Sequence, residues 1–381
     1  MHFGFAGAGF SSAVIARELA EAGHAATIFD TRSHIGGNCY TERDADTDIT
    51  IHKYGPHIFH TDSDRVWEYI NRFGTMRAFN HRVLTTSGER VYTMPINLLT
   101  INQLFDETLT PVEAEAFIAE QADTSIDEPQ NFEEQALRFV GRRIYEAFFY
   151  GYTKKQWGME PTKLPASILK RLPVRFNYED SYFNHPYQAM PEDGYTPIIE
   201  AILDHPSITV HLETELAPTS RGDFDHVVWS GPLDAWFGYE FGRLGYRTLD
   251  FEEIRADGDY LGTSVMNFGD YETPYTRITE HKHFAPWETH DKTVCFREFS
   301  REHTPDDIPY YPIRLVDDKE LLDQYLDAAE AEQGVSFVGR LGTYRYLDMD
   351  VTIREALEAA DAIKTSMDTA EPISSFFLDP R

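Results

Sequence analysis

The chain reads as an α/β protein: a Rossmann-like dinucleotide-binding domain that carries a helical insert and an antiparallel β-sheet domain. Three observations predict this. A strand, glycine turn, helix and strand open the sequence; helix formers dominate residues 95–165; and aromatic and polar residues alternate between turns over 243–314. At 381 residues the chain exceeds the usual size of one core, so two or three domains are expected.

Residues 2–6 are a short apolar run that reads as a strand. GAGFSS (7–12) follows as a glycine turn, AVIARELAEAGH has helical apolar spacing, and AATIFD is a second strand ending at Asp30. Gly7 permits the tight turn, and Gly9 lets the backbone approach a pyrophosphate. The helix beginning near Phe10 offers that anion free N–H groups and a partial positive charge. Asp30 stands where an acid accepts hydrogen bonds from a ribose. Ser12 replaces the third fingerprint glycine and is small enough for close helix–strand packing. RSHIGGN (32–38) comes next; Gly36 and Gly37 make either an ordinary loop or a backbone passing close to a flavin's ribityl chain or ring.

Pro95, Pro111 and Pro129 punctuate the helix formers, two of them at positions suited to a first helical turn. PTKLPASILKRLPVRFNYEDSYFNHPYQ then shows no period and reads as a long functional loop. Residues 191–231 resume the α/β pattern, with a helix near 195–204 and strands ITVHL and HVVWS. From 336 a last strand, SFVG, leads to a final helix, and the tail after about 367 is expected to fray.

The formal charge is −30, from 34 basic and 64 acidic residues. That argues against nucleic acid or an anionic membrane as a partner, and it requires an anionic ligand to be met locally by arginines and backbone N–H groups. The two cysteines, Cys39 and Cys295, have no CxxC spacing, so no metal site is expected and a reducing compartment fits. The N-terminus lacks a basic region and a long apolar core, and no apolar run is long enough to span a bilayer, so the chain is expected to be cytoplasmic.

FVGRLGTYRYLDMDVTIREAL (337–357) gathers Gly339, Arg340, Gly342, Tyr344, Arg345, Tyr346, Asp348 and Asp350 just before a helix. If the C-terminal strand returns beside the first, this run is the second wall of the dinucleotide site. Gly339 and Gly342 then allow close approach and Arg340 suits a pyrophosphate. The helix starting near Asp350 would point its positive end at a flavin ring and favour the reduced anion.

Together these segments resemble the UDP-galactopyranose mutase family. The blocks that carry the likeness include GAGFSSAVIARELA, HIGGN, YGPHIFHTD, FEEQALRFVGRRIYEAFFYGYTKKQWGM, LPASILKRLPVRFNYEDSYFN, PYTRITEHKHF, IPYYPIR and FVGRLGTYRYLDMD, and they reach to about residue 365. The resemblance implies an isomerase that interconverts UDP-galactopyranose and UDP-galactofuranose with reduced FAD. In that family flavin N5 attacks the anomeric carbon, with no net redox change. It implies a Rossmann-like FAD-binding domain over 1–78, 191–243 and 315–369, and a helical domain over 99–186 with a mobile substrate loop at about 163–181. The antiparallel sheet domain would be 79–98 and 244–314, and 370–381 a flexible tail. An external reductant and a homodimer are also implied.

Residue by residue, the resemblance gives catalytic roles to Arg171, Arg277, His57 and His60, the two arginines clamping the diphosphate. Phe148, Tyr152, Thr153 and Trp157 would hold the uracil and sugar, although aromatics at helical spacing are commonly core. Tyr182, Tyr311 and Tyr346 would bond the phosphates, and Asn267 and His81 would lie near the sugar, His81 standing where relatives often have Asn. Gly7, Gly9, Phe10, Ser11, Asp30, Arg32, Gly37 and Asn38 would bind FAD, joined by Tyr54, His57, Ile58, Arg340, Tyr346, Asp348 and Met349. Three other readings stay open: an amine-oxidase-like flavin oxidoreductase, a mutase for another nucleotide sugar such as UDP-N-acetylgalactosamine or a deoxysugar, and a nucleotide-sugar sensor.

Overall fold

The computed structural model describes residues 1–171, 174–314 and 319–381, apart from the side chains of Ser167, Lys170 and Arg171. A five-stranded parallel sheet forms around β1 (His2–Ala6). It pairs with β2 (Ala25–Phe29) on one side and with His226–Trp229 on the other. Ile208–His211 extends the sheet past β2, and Val335–Phe337 extends it past His226–Trp229. β1 is buried from Phe3 to Ala6, as a strand covered on both faces must be. Helix α1 (Phe10–Glu21) makes the crossover to β2 and packs on the helices Tyr195–Leu203 and Met349–Thr369. Val14, Ile15 and Leu19 meet Ile198, Ile202, Ile353 and Leu357 in one apolar core.

The last strand does not lie beside the first, as expected; His226–Trp229 comes between them. The run after it still reaches the N-terminal turn, because Gly339 bends with φ +72° to where a Cβ would lie 2.5 Å from the Ser11 hydroxyl oxygen.

A seven-stranded sheet runs Tyr311–Pro312, Tyr246–Asp257, Lys292–Glu302, Arg277–Glu280, Val265–Phe268, Val83–Ser87, Arg90–Met94. It is antiparallel except where Val265–Phe268 pairs in parallel with Val83–Ser87. A smaller sheet joins Phe59–Thr61, Tyr187–Pro191 and Met76–Ala78.

The helical unit comprises Leu98–Phe105, Pro111–Gln121, Phe132–Ile144, a π-helical turn Tyr145–Tyr150 and Gly151–Trp157, around its own core. Of the three prolines only Pro111 sits in a first turn, behind a Thr110–Glu113 capping box; Pro95 and Pro129 stand before the N-caps Asn97 and Asn131. Gly141 breaks its helix with φ +77°, where a Cβ would collide with the Gln121 carbonyl.

Much of the segment expected to be mobile is anchored. Leu164 and Leu169 are buried, Leu98 N donates to Asn177 O at 2.9 Å, and the buried Arg175 donates to Glu179 O, Ser181 O and Asn184 Oδ1. The C-terminal tail is likewise tied down rather than frayed. Phe337 N donates to Ser375 O at 2.8 Å, Ser336 Oγ to Ser374 O at 2.5 Å, and Arg381 pairs with Asp327 and Glu330. No helix among the described residues is long and apolar enough to cross a membrane.

Burial holds His57 and His226 down at about 4 and His81 and His281 at about 3, against an ordinary 6.5. All four are therefore neutral in the fold. Below about pH 6.5 the unfolded chain binds protons that the folded chain refuses, so stability falls with pH, by about 1.4 kcal/mol per pKa unit for each site. The melting temperature should hold level near pH 7 and drop steeply below about pH 6. A melting temperature unchanged at about pH 4.5 would refute the assignment.

Candidate active site

At the end of β1, Gly7 turns with φ +91°, and a Cβ there would lie 2.5 Å from Ser230 Oγ. Asp30 fixes this turn from the end of β2: one carboxylate oxygen accepts from Ala8 N at 2.8 Å and the other from Arg32 N at 2.9 Å. Each oxygen keeps a lone pair for a ribose hydroxyl. Ser12 is fully buried and donates to Ser230 Oγ at 3.3 Å, which in turn donates to Ala6 O at 2.6 Å, so the serine is absorbed into the packing. Gly36 N donates to Ala8 O at 2.9 Å and brings the second glycine pair onto the first; a Cβ on Gly37 would stand 3.5 Å from Gly9 Cα.

A cleft of about 510 Å³ opens above these turns. Gly7, Gly9, Phe10, Ser11, Asp30 and Arg32 line it from the N-terminal unit, Gly37, Asn38 and His57 from the following loops, and Arg340 and Met349 from the C-terminal run. The donor set fits a dinucleotide. α1 has no acid in its first turn, so its positive end is unmet. Arg32 gives Nη2 to Asn38 Oδ1 at 2.8 Å and lies 4.6 Å from the Tyr54 ring centre, while its Nη1 is buried with no hydrogen-bond partner among the described residues. These groups would hold the pyrophosphate and ribose of FAD.

Four predicted cofactor residues do not line this cleft. Tyr54 supports Arg32, Ile58 packs into the core, Tyr346 stacks on Tyr311 with ring centres 5.8 Å apart, and Asp348 takes the N-cap position of the helix Met349–Thr369 without a side-chain capping bond. That helix departs from the expected polarity. Asp350 sits buried in its first turn, so an acidic residue already stands near its positive end, while Asp348 at the N-cap makes no side-chain capping bond. Arg340 also differs from the simple reading. It lines the cleft, but Nη1 reaches Tyr310 O at 3.3 Å and Nη2 reaches Leu347 O at 2.5 Å, and the guanidinium covers the Tyr346 ring at 5.0 Å.

The sheet supplies a second cationic centre. Arg277 faces Glu298 across the ladder, and its Nε donates to Glu298 Oε1 at 2.9 Å. Glu298 is 1% exposed and also accepts from Thr276 Oγ1 at 3.2 Å. Burial opposes the Arg277 charge, but Glu298 and then Tyr152 and Tyr311 hold its pKa well above the ordinary value. Glu298 binds the Nε edge, and among the described residues the forked end makes no hydrogen bond.

Tyr152, Tyr182 and Tyr311 all lie within the field of Arg277. Burial raises each of them, Tyr152 to about 12, so they are neutral donors at ordinary pH. Lys155, missed in the sequence, donates to the carbonyls of Phe268, Asp270 and Tyr275 at 2.7, 2.7 and 3.0 Å. It closes the turn that positions Asn267 and Arg277, neighbours in the ladder.

Asn267 Oδ1 and His81 Nδ1 are buried with no hydrogen-bond partner among the described residues. Thr153 is buried and Trp157 half-buried at the end of the same helix. Phe148 is not brought to an open surface: it is 4% exposed in the helical core, with its ring edge-on to Tyr92 at 5.1 Å. Arg171 ends the 3-10 turn Ala166–Arg171, and its side chain lies outside the described residues.

His57 lines the cofactor cleft and gives its Nδ1–H to Gly55 O at 3.0 Å. A carbonyl only accepts, so Nε2 carries the lone pair. His60 is buried under Phe183, with ring centres 3.7 Å apart, and its Nδ1 meets His185 Nδ1 at 2.9 Å. Among the described residues, His60–His185–Asp350 and Asp259–Glu280–His283 approach closely enough to share an ion. In the second group, Glu280 is already occupied by the amides of Tyr260, Leu261 and Gly262.

An α/β enzyme with a dinucleotide cofactor cleft, flanked on the neighbouring sheet by a guanidinium ringed with tyrosines, is the class that this arrangement defines. Comparison with known proteins makes it particular. Residues 147–346 match the family model described as UDP-galactopyranose mutase, and 6–73 match an NAD(P)-binding Rossmann-like domain. A probable UDP-galactopyranose mutase of Klebsiella pneumoniae is 58% identical over 98% of both chains. A dTDP-fucopyranose mutase of Escherichia coli is 51% identical over 93% of this chain and 96% of its own. In fold, the chain is similar to a reduced UDP-galactopyranose mutase crystal structure (TM-score 0.74, 16% identity, 96% and 95% of the two chains covered). It is also similar to a putative protoporphyrinogen oxidase from Exiguobacterium (TM-score 0.68, 14% identity, 96% and 99% covered). The chain belongs to the UDP-galactopyranose mutase family and is an FAD-dependent enzyme.

Proposed function

We propose that this chain interconverts UDP-galactopyranose and UDP-galactofuranose. The observation that carries the reading is Arg277, held at its Nε edge by Glu298 with its forked end open among neutral tyrosine donors. Such a centre suits a diphosphate: the guanidinium meets the charge, and hydroxyls of Tyr152, Tyr182, Tyr311 and Tyr346 add hydrogen bonds without a further buried charge. Arg171 is the second arginine of this clamp. Asn267 and His81 bond sugar hydroxyls, and Tyr152 and Trp157 flank the uracil and sugar, with Thr153 beside them and Phe148 behind. When bound and reduced, FAD supplies an electron-rich nucleophile with no net redox change. His57 offers its Nε2 lone pair to a donor in the cleft, and Arg277 keeps the diphosphate within reach for return to the sugar. A cytoplasmic homodimer drawing on an external reductant completes the reading.

The test incubates UDP-galactofuranose with dithionite-reduced protein and follows UDP-galactopyranose by chromatography. Conversion by reduced and not by oxidised protein is expected; equal conversion in both states would sink the mechanism. The fucopyranose relative, at 51% identity, favours a second reading, a mutase for a deoxysugar nucleotide. dTDP-fucofuranose in a parallel reaction decides between them by kcat/KM.

A further inference from the structure

His185 precedes the strand Tyr187–Pro191, which pairs antiparallel with Phe59–Thr61 so that Gln188 stands opposite His60. Gln188 Nε2 donates to His185 O at 2.9 Å and Phe183 O at 3.3 Å, curling this segment back over His60. The curl delivers two contacts: the Phe183 ring stacks on His60, and His185 Nδ1 meets His60 Nδ1 at 2.9 Å. At that distance one nitrogen must carry a proton and the other a lone pair. Two protonated rings would set N–H against N–H, so the pair shares one proton at this contact. For a neutral His60 ring the state of Nε2 then follows from it: an acceptor if Nδ1 donates, a donor if Nδ1 accepts. Asp350 offers an oxygen within 4.8 Å of a nitrogen on each ring, and its Oδ1 is buried with no hydrogen-bond partner among the described residues. Burial lowers the pKa of His60 despite the charges of Asp350 and Asp348. His60 is buried and His185 half-buried, so the proton state of an inner ring is tied to an outer one.

We propose that His185 is a positioning residue that orients the His60 imidazole and fixes which of its nitrogens carries the proton. The proposal rests on the mutase reading, in which His60 lies near flavin and sugar. Two variants separate it from a packing role. His185→Phe keeps a ring and removes the nitrogens; His185→Asn keeps a polar atom near the Nδ1 position.

In 15N-histidine-labelled, FAD-loaded wild-type protein the two His60 nitrogens should give well-separated shifts, one protonated and one bare. In His185→Phe those shifts should converge as the tautomers mix, and kcat of the reduced enzyme should fall about tenfold with KM little changed, the usual scale for loss of an orienting partner. His185→Asn should keep the shifts apart and recover most of kcat. Unchanged His60 shifts in the Phe variant, or equal losses in both variants, would overturn the proposal. If His185→Phe fails to fold, converged shifts in the Asn variant would equally refute it. Absence of turnover in wild type would count against the mutase reading alone, because the shifts report the pair without it.

Discussion

Arg277→Leu is expected to lower kcat/KM by about 10²–10³-fold and to destabilise the fold at the same time. The first effect follows from losing a charge-assisted fork to the diphosphate, worth about 2–5 kcal/mol when the pair is desolvated. The second follows from Glu298, which is 1% exposed and would keep its charge with Thr276 Oγ1 as its remaining side-chain donor among the described residues. Breaking one side of a buried pair costs about 3–5 kcal/mol.

The two effects can be separated. Arg277→Leu/Glu298→Gln removes the orphaned carboxylate and retains an acceptor for Thr276, so urea melts should return most of the stability while kcat/KM stays low. Arg277→Lys should behave in between, because an ammonium can answer Glu298 but cannot present a planar fork to phosphate oxygens. Wild-type kcat/KM in the leucine variant would remove Arg277 from the clamp.

This pair also marks how far the sequence could be read. Arg277 was visible within YTRITEH, whereas Glu298 in CFREFS reads as one polar residue of an alternating strand. Only the ladder register sets the two opposite each other. The glycine turns were legible because their cause is local: positive φ and close approach belong to single residues. The order of the parallel strands was not, since nothing in SFVG says whether β1 or His226–Trp229 lies beside it. Phe148 shows the same limit. Helical spacing is common to a core stripe and a binding stripe, and the structure places this ring in the core. The tail misled for a related reason: Ser374 and Ser375 look like loose ends, yet their carbonyls accept bonds from Ser336 and Phe337, some forty residues earlier. His185 carried no local signal, as its partner His60 lies on another strand.

Gly9→Ala should abolish stable FAD binding while leaving the apoprotein's melting temperature nearly unchanged. Gly9 has φ −85° and ψ −177°, extended backbone open to any residue. A Cβ on it would meet only Gly37 Cα, at 3.9 Å, an ordinary contact. The described residues therefore give no steric reason for glycine here, and the prediction rests on a pyrophosphate approaching the backbone at the start of α1. Gly7 is the opposite case. Its φ of +91° and the 2.5 Å from its Cβ position to Ser230 Oγ strain any side chain, and Ser230 cannot turn away without giving up its 2.6 Å bond to Ala6 O. Gly7→Ala should therefore destabilise even the apoprotein, by about 1–3 kcal/mol. In holo preparations both variants should melt below wild type, since a cofactor present at a hundred times its Kd adds about 2.7 kcal/mol to the folded state. Only the apo comparison tells them apart, with visible flavin absorbance per chain as the direct readout. A Gly9→Ala protein that stays yellow with wild-type FAD affinity would place the pyrophosphate elsewhere; one that unfolds as apoprotein would show that the residue serves the fold instead.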